Sequence, residues 1–155
     1  KIKDRFKRGI YLSAARSYLF NQVVSQRIAD NLSKQPLLGD CVQFVGNRSF
    51  FPLADLEADS LQRLQSREIC LTAPLWGAGE LTSESDAKLY ETEQLTEYQD
   101  LQAGLAKNGL KQERRPLLLM PEQLSAVWLD DQSVCIDFYL PSGCYATSVL
   151  RELIQ

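Results

Sequence analysis

Two incompatible hydrophobic periods share this 155-residue chain, and they change over near Leu117. Early in the chain, Ala15, Leu19 and Val23 together with Phe20, Val24 and Ile28 form two adjacent i, i+4 rows. They make one broad apolar stripe, which predicts a helix over 13–32 with Ser13 as its N-cap. Late in the chain, Val134, Ile136, Phe138 and Leu140 alternate with Cys135, Asp137 and Tyr139. That is the period of an antiparallel strand with one buried face. One stretch cannot satisfy both periods, so the chain divides into a mixed, helix-rich unit over 1–117 and, over 118–155, antiparallel strands followed by a helix. The fold class expected is α+β.

Between these landmarks the elements are short. Arg16 and Arg27 fall off the helix stripe, and Pro36 and Gly39-Asp40 end the connection that follows it. Residues 41–45 read as a strand, 46–48 as a turn and 49–53 as the partner strand, which Pro52 confines to an edge because it lacks an N–H. A short helix over 55–65 carries Leu56, Leu61 and Leu64, and a strand follows over 69–73. The loop 74–79 holds Gly77 and Gly79 but lacks the glycine spacing or lysine of a phosphate-binding loop, so it is read as a turn. A single long helix is expected over 85–107, stopped by Gly109, with Leu89, Tyr90, Leu95, Tyr98, Leu101 and Leu105 inward. Strands are expected over 117–120, 123–129 and 133–140, the last two joined as a hairpin through Asp130-Asp131-Gln132.

Composition removes several chemistries. A hydrophobic content of 45% suffices for a core. Histidine is absent, which excludes Ser-His-Asp, Cys-His and histidine general-base catalysis within the chain. Cys41, Cys70, Cys135 and Cys144 have no Cys-x-x-Cys spacing, so no metal site is expected and the thiols are read as free, in a reducing compartment. No apolar run approaches the roughly 18 residues of a membrane span. The chain starts at Lys1, its only methionine is Met120, and it stops within an apolar-periodic helix, so both ends read as cut. The expectation is a soluble, cytoplasmic protein without membrane, metal or cofactor.

Charge is unevenly spread around a net −3. Lys1, Lys3, Arg5, Lys7, Arg8 and Arg16 are opposed only by Asp4, whereas Glu80, Glu84, Asp86, Glu91, Glu93, Glu97 and Asp100 are opposed only by Lys88. A polyanion is attracted to the first run and repelled by the second, so its binding would be oriented. Two solvated faces would account for the same pattern. Lys7, Arg8 and Arg16 are the candidate phosphate contacts, Arg16 by bidentate pairing and Lys7 as a point charge.

A second candidate site is the corner after the last strand. Pro141 ends the strand, Ser142-Gly143 permits a tight bend, and Tyr145 stands at the start of the final helix. An aromatic displayed there can stack on a nucleobase, and a core tyrosine closing the end of the sheet fits the same position.

The run Leu140-Pro141, Gly143, Tyr145-Ala146-Thr147 and Arg151-Glu152-Leu153 resembles the C-terminal motif of the TruD family of tRNA pseudouridine synthases. So does the early run Asp4-Arg5, Lys7-Arg8, Leu12-Ser-Ala-Ala-Arg-Ser17 and Leu19-Phe20-Asn21, with Gly39-Asp40 and the leucines from Leu117 matching by pattern. The resemblance implies that 1–117 is the family's tRNA-contacting TRUD insertion domain and 118–155 the C-terminal segment of the pseudouridine synthase catalytic domain. It implies an isomerase that converts uridine at tRNA position 13 to pseudouridine without a cofactor. Tyr145 would take the place of the family's aromatic, usually phenylalanine, that contacts the target uracil, and Lys7, Arg8 and Arg16 would contact RNA. Arg151 and Glu152 fit a helix-surface pair or an interdomain salt bridge at least as well as a catalytic role.

The family's nucleophilic aspartate, in a Gly-x-Lys-Asp-like motif, has no match here, and Asp130, Asp131 and Asp137 lie outside any such motif. No catalytic residue is therefore assigned in this chain. The isolated chain is expected to be inactive, with tRNA and the missing N-terminal half of its own catalytic domain as partners. The rival readings are a non-catalytic RNA-binding module that uses the basic edge alone, and a protein-interaction domain that docks through the acidic helix.

Overall fold

A computed structural model describes residues 4–141 and 143–153 and divides the chain into two compact units, up to Leu117 and from Leu118. The first unit opens with helix α1, Arg5–Ala29. It starts two turns earlier than the apolar stripe predicts, and Ser13 lies inside it. The cap is Asp4, whose carboxylate accepts from the N–H groups of Phe6 at 2.9 Å and Lys7 at 3.2 Å. Residues 5–11 are exposed on every side. Periodicity reports only where a helix has a buried face, so these turns leave no trace in it. At the other end Asn31 takes a φ of 60°, and the N–H of Leu32 returns to the carbonyl of Arg27 at 2.7 Å, closing the helix.

The unit continues with β1 (Cys41–Phe44), β2 (Phe50–Pro52), α2 (Ala58–Gln65), β3 (Ile69–Leu75), α3 (Ser85–Gln94), a 3-10 turn (Thr96–Tyr98), α4 (Gln99–Lys107) and β4 (Glu113–Pro116). The strands form one antiparallel sheet in the order β2-β1-β3-β4, which leaves Pro52 on an edge strand as expected. Leu19, Phe20 and Val23 of α1 pack with Ala73, Leu75, Leu95 and Leu105 in the larger core cluster. Val42, Leu53, Ile69 and Leu71 form the smaller one, flanked by Leu64 of α2. Gly39 could be no other residue without a shift, since it has φ +80° and a Cβ there would stand 2.2 Å from the carbonyl oxygen of Glu84.

Several expectations need correction, among them the inward place of Leu89, which is exposed. The single helix over 85–107 is broken at Leu95, whose backbone leaves the helical region (φ −111°, ψ 5°) while its side chain stays 1% exposed in the core. The carbonyl of Leu95 is met instead by Tyr98 N–H at 3.1 Å and by the side-chain amide of Gln102 at 2.7 Å. No glycine or proline marks that break. Residues 117–120 are not a strand; the strand is Glu113–Pro116, whose charged sequence hides its pairing with β3.

Arg27, expected off the buried stripe, is wholly buried. It clamps buried Asp40 bidentately at 2.7 and 2.6 Å, and Asp40 also accepts Leu37 N–H at 2.7 Å. Glu91 likewise leaves the acidic face for the interior. It receives Arg114 at 2.9 and 2.6 Å and the hydroxyl of Ser83 at 2.6 Å, while Arg114 donates further to the hydroxyl and carbonyl of Thr72.

The second unit is a hairpin of β5 (Glu122–Trp128) and β6 (Val134–Tyr139), followed by α5 (Ala146–Leu153). The register slips between Glu122 and Ser125, where Gln123 takes a φ of 52°. Every residue of β5 is exposed; on β6, Ile136 and Phe138 are half-buried and their neighbours exposed, in step with the alternation. Among the described residues no helix is long and apolar enough to cross a membrane.

Candidate nucleic-acid interface

The three cations that the sequence groups together are parted by the structure. Lys7 and Arg8 lie on the exposed first turns of α1. Arg8 donates to the side-chain oxygen of Asn108 and borders a groove of about 400 Å³ between α1 and α4, floored by Leu12, Ala15, Leu101 and Leu105. Arg16 is instead drawn into the body of the unit, its side chain 13% exposed. Its guanidinium donates to the carbonyls of Trp76 at 3.0 Å, Leu75 at 2.9 Å and Lys111, and pairs with Glu113 at 3.0 Å. These bonds fasten the end of β3 to the start of β4. A phosphate on Arg16 would have to displace them.

The loop that follows β3 is filled by protein. Ala78 N–H donates to the Leu110 carbonyl at 2.6 Å, and Gln112 N–H returns to the Ala78 carbonyl at 3.0 Å. A Cβ on Gly77 would sit 2.3 Å from the carbonyl carbon of Lys111. This glycine admits a neighbouring backbone and leaves no cradle for a phosphate.

One cation that the sequence reading passes over belongs to the same region. The strand pleat sends Arg114 and Arg115 to opposite faces of β4. Arg114 turns to buried Glu91; Arg115, paired across from Ala73, faces α1 with its guanidinium 5.3 Å from the centre of the Phe20 ring. Arg16, Glu113 and Arg115, with Ser13 and Ser17 of α1, line a cleft of about 320 Å³. The signal available in the sequence was the period of two through Glu113-Arg114-Arg115, hidden because a run of charges reads as a solvated loop.

In the second unit, Tyr145 immediately precedes α5 and is 72% exposed. Gly143 takes a φ of +91°, Cys144 N–H returns to the Pro141 carbonyl at 3.1 Å, and Ser148 N–H to the Tyr145 carbonyl at 3.0 Å. The turn therefore displays the ring and leaves it out of the core; Ser142, expected in the bend, lies outside the described residues. Arg151 and Glu152 are exposed on α5. Asp130, in the hairpin turn, is held below the usual carboxylate range by the N–H of Gln132 and by Ser133, so it is an ionised turn residue. Among the described residues no three histidine, cysteine or carboxylate side chains gather as a metal site. Burial raises the thiols of Cys41 and Cys70 above the ordinary cysteine value.

Known proteins place this geometry. The family model described as tRNA pseudouridine synthase D (TruD) matches residues 2–153. A tRNA pseudouridine synthase D of Aeromonas salmonicida is 50% identical over 156 residues, covering 100% of this chain and 44% of that protein. One of Shewanella oneidensis is 46% identical, covering 100% of this chain and 41% of its own length. A crystal structure from Methanosarcina mazei that carries the TruD description superposes with a TM-score of 0.65 at 26% identity, over 88% of this chain and 36% of that one. The chain thus spans less than half the length of the curated relatives it matches. With the match running almost from end to end, the chain belongs to the TruD family of tRNA pseudouridine synthases.

Proposed function

We propose that this chain serves as the tRNA-holding and base-contacting part of an isomerase that converts uridine at tRNA position 13 to pseudouridine. Residues 1–117 act as the insertion domain that grips tRNA, and 118–155 as a C-terminal segment of the catalytic domain. The observation that carries the reading is Tyr145, a ring displayed at a strand-to-helix corner within the motif Leu140-Pro141, Gly143, Tyr145-Ala146-Thr147.

A uridine inside a stacked tRNA cannot be reached, so it must be extruded and held on a ring while its glycosidic bond is exchanged from N1 to C5. Tyr145 offers the ring, and its hydroxyl meets water at this exposure. Lys7 and Arg8 offer charge to phosphates from turns that carry no competing core contacts. The nucleophilic carboxylate comes from the part of the family's polypeptide that precedes this chain. The hairpin β5–β6, exposed along all of β5, is a strand pair that such a partner would extend.

The test is an activity assay on unmodified tRNA with chemical detection of pseudouridine. The 155-residue chain is expected to give none, and the full-length polypeptide that includes it to turn over. Turnover by the chain alone at the full-length rate would refute the division of labour.

A further inference from the structure

We propose that the cleft between α1 and β4 is a subsite for one RNA phosphodiester and its ribose, with Arg115 as the phosphate ligand. The inference rests on the tRNA reading above and adds a contact to it. Arg115 is distinguished among the arginines that are not fully exposed. Of these, Arg16, Arg27, Arg63 and Arg114 each donate to a carboxylate, but the side chain of Arg115 makes no hydrogen bond or ion pair among the described residues.

The side chain of Arg115 is only half exposed and is held over the face of Phe20, a ring that is itself 7% exposed. The ring fixes the cation without using any of its five N–H donors. A fixed guanidinium with unused donors suits a phosphate, which can take two of them in parallel.

The walls fit the rest of a nucleotide. Gly9, Ser13 and Ser17 follow one another at i, i+4 and i+8 on α1 and form a row of small side chains along the cleft, beside Leu12 and Arg16 of the same helix. The two hydroxyls can donate to and accept from a ribose 2′-hydroxyl. Glu113 already neutralises Arg16 at 3.0 Å, which leaves Arg115 as the cleft's net charge. Arg8 lies nine residues before Ser17, roughly 13 Å along the helix axis, so a single strand held at Arg8 could reach the cleft.

The test is tRNA binding by the full 155-residue chain, followed by fluorescence anisotropy from about 50 to 200 mM salt, the range over which phosphate contacts are lost. Arg115→Gln is expected to weaken binding about tenfold at low salt and to reduce the slope of log affinity against log salt by about 1. Arg115→Lys keeps the slope. Ser13→Leu, at an exposed helix position, fills the opening while preserving every charge, and is expected to weaken binding to the same degree.

Wild-type affinity and slope in both Arg115→Gln and Ser13→Leu, beside a reduced slope in a Lys7→Ala/Arg8→Ala variant, would overturn the subsite and leave the tRNA reading standing. Absence of salt-dependent tRNA binding by the unaltered chain would overturn the tRNA reading and the subsite with it. If Arg115→Gln melts early, Arg115→Lys and Ser13→Leu decide the matter.

Discussion

Replacing Arg27 by methionine should be among the most damaging single changes available in the first unit. The guanidinium meets both oxygens of Asp40, at 2.7 and 2.6 Å, and neither side chain has any solvent exposure. Methionine fills much of the space but leaves the carboxylate with Leu37 N–H as its one remaining partner of those described. Breaking a buried pair from one side costs about 3–5 kcal/mol, because the surviving charge stays desolvated. For a unit of 117 residues the unfolding entropy near the midpoint is about 0.25 kcal/mol/K, so a loss of about 4 kcal/mol lowers Tm by about 15 °C.

The double variant Arg27→Met/Asp40→Leu removes the stranded charge. It should recover at least half of the loss, leaving only the N–H of Leu37 and the carbonyl of Leu32 to find other partners. The assay is a thermal melt followed by tryptophan fluorescence in a Trp128→Phe background, where Trp76 alone reports on the first unit. A fall of less than about 3 °C for Arg27→Met, or a double variant weaker than either single, would refute the argument that the pair's desolvation dominates.

Tyr145→Ala in the full-length enzyme should leave Tm nearly unchanged, as the side chain is 72% exposed, yet cut turnover about tenfold through loss of a stacking contact of roughly 1–3 kcal/mol. Tyr145→Phe should be close to silent in kinetics and melting; an alanine variant that melts early and loses tRNA affinity with turnover would make the ring a packing residue. The Tyr90 phenol is raised well above the ordinary tyrosine value, first by burial and then by its hydrogen bond to Asp30, here 2.7 Å. Its folded-state pKa exceeds the unfolded one, so its contribution to stability is intact below about pH 10 and is lost as pH rises through the raised value. Alkaline ultraviolet titration should show a late-ionising tyrosine that Tyr90→Phe deletes.

What could be read from the chain was apolar pattern, and what escaped was buried charge. The α1 stripe is visible because Leu19, Phe20 and Val23 face one core, and the edge position of β2 because Pro52 lacks an N–H. Arg27, Glu91 and Arg114 look like surface in any pattern that equates charge with water, and each is buried because a partner distant in sequence supplies the hydrogen bonds. Arg16 escaped for the same reason: its sequence neighbours are exposed cations, but its carbonyl partners lie some 60 and 95 residues away. The break at Leu95 depends on a side-chain amide seven residues on, which no local propensity encodes. At Tyr145 the sequence supplied the position and left display and burial both open; in this chain the turn at Gly143 leaves the ring exposed.

The larger core of the first unit is assembled from its two extremes, and this sets an order of events at the ribosome. Leu19, Phe20 and Val23 need Leu105, and Arg16 needs Glu113, 97 residues downstream. At about 5–20 residues per second, α1 waits roughly 5–20 s between leaving the exit tunnel and meeting its last neighbours. Throughout that interval its apolar stripe has only partial cover. The first helix of this unit is thus among the last of its elements to be enclosed, and a nascent chain halted before β4 should be a substrate for chaperones although most of the unit's secondary structure has been synthesised.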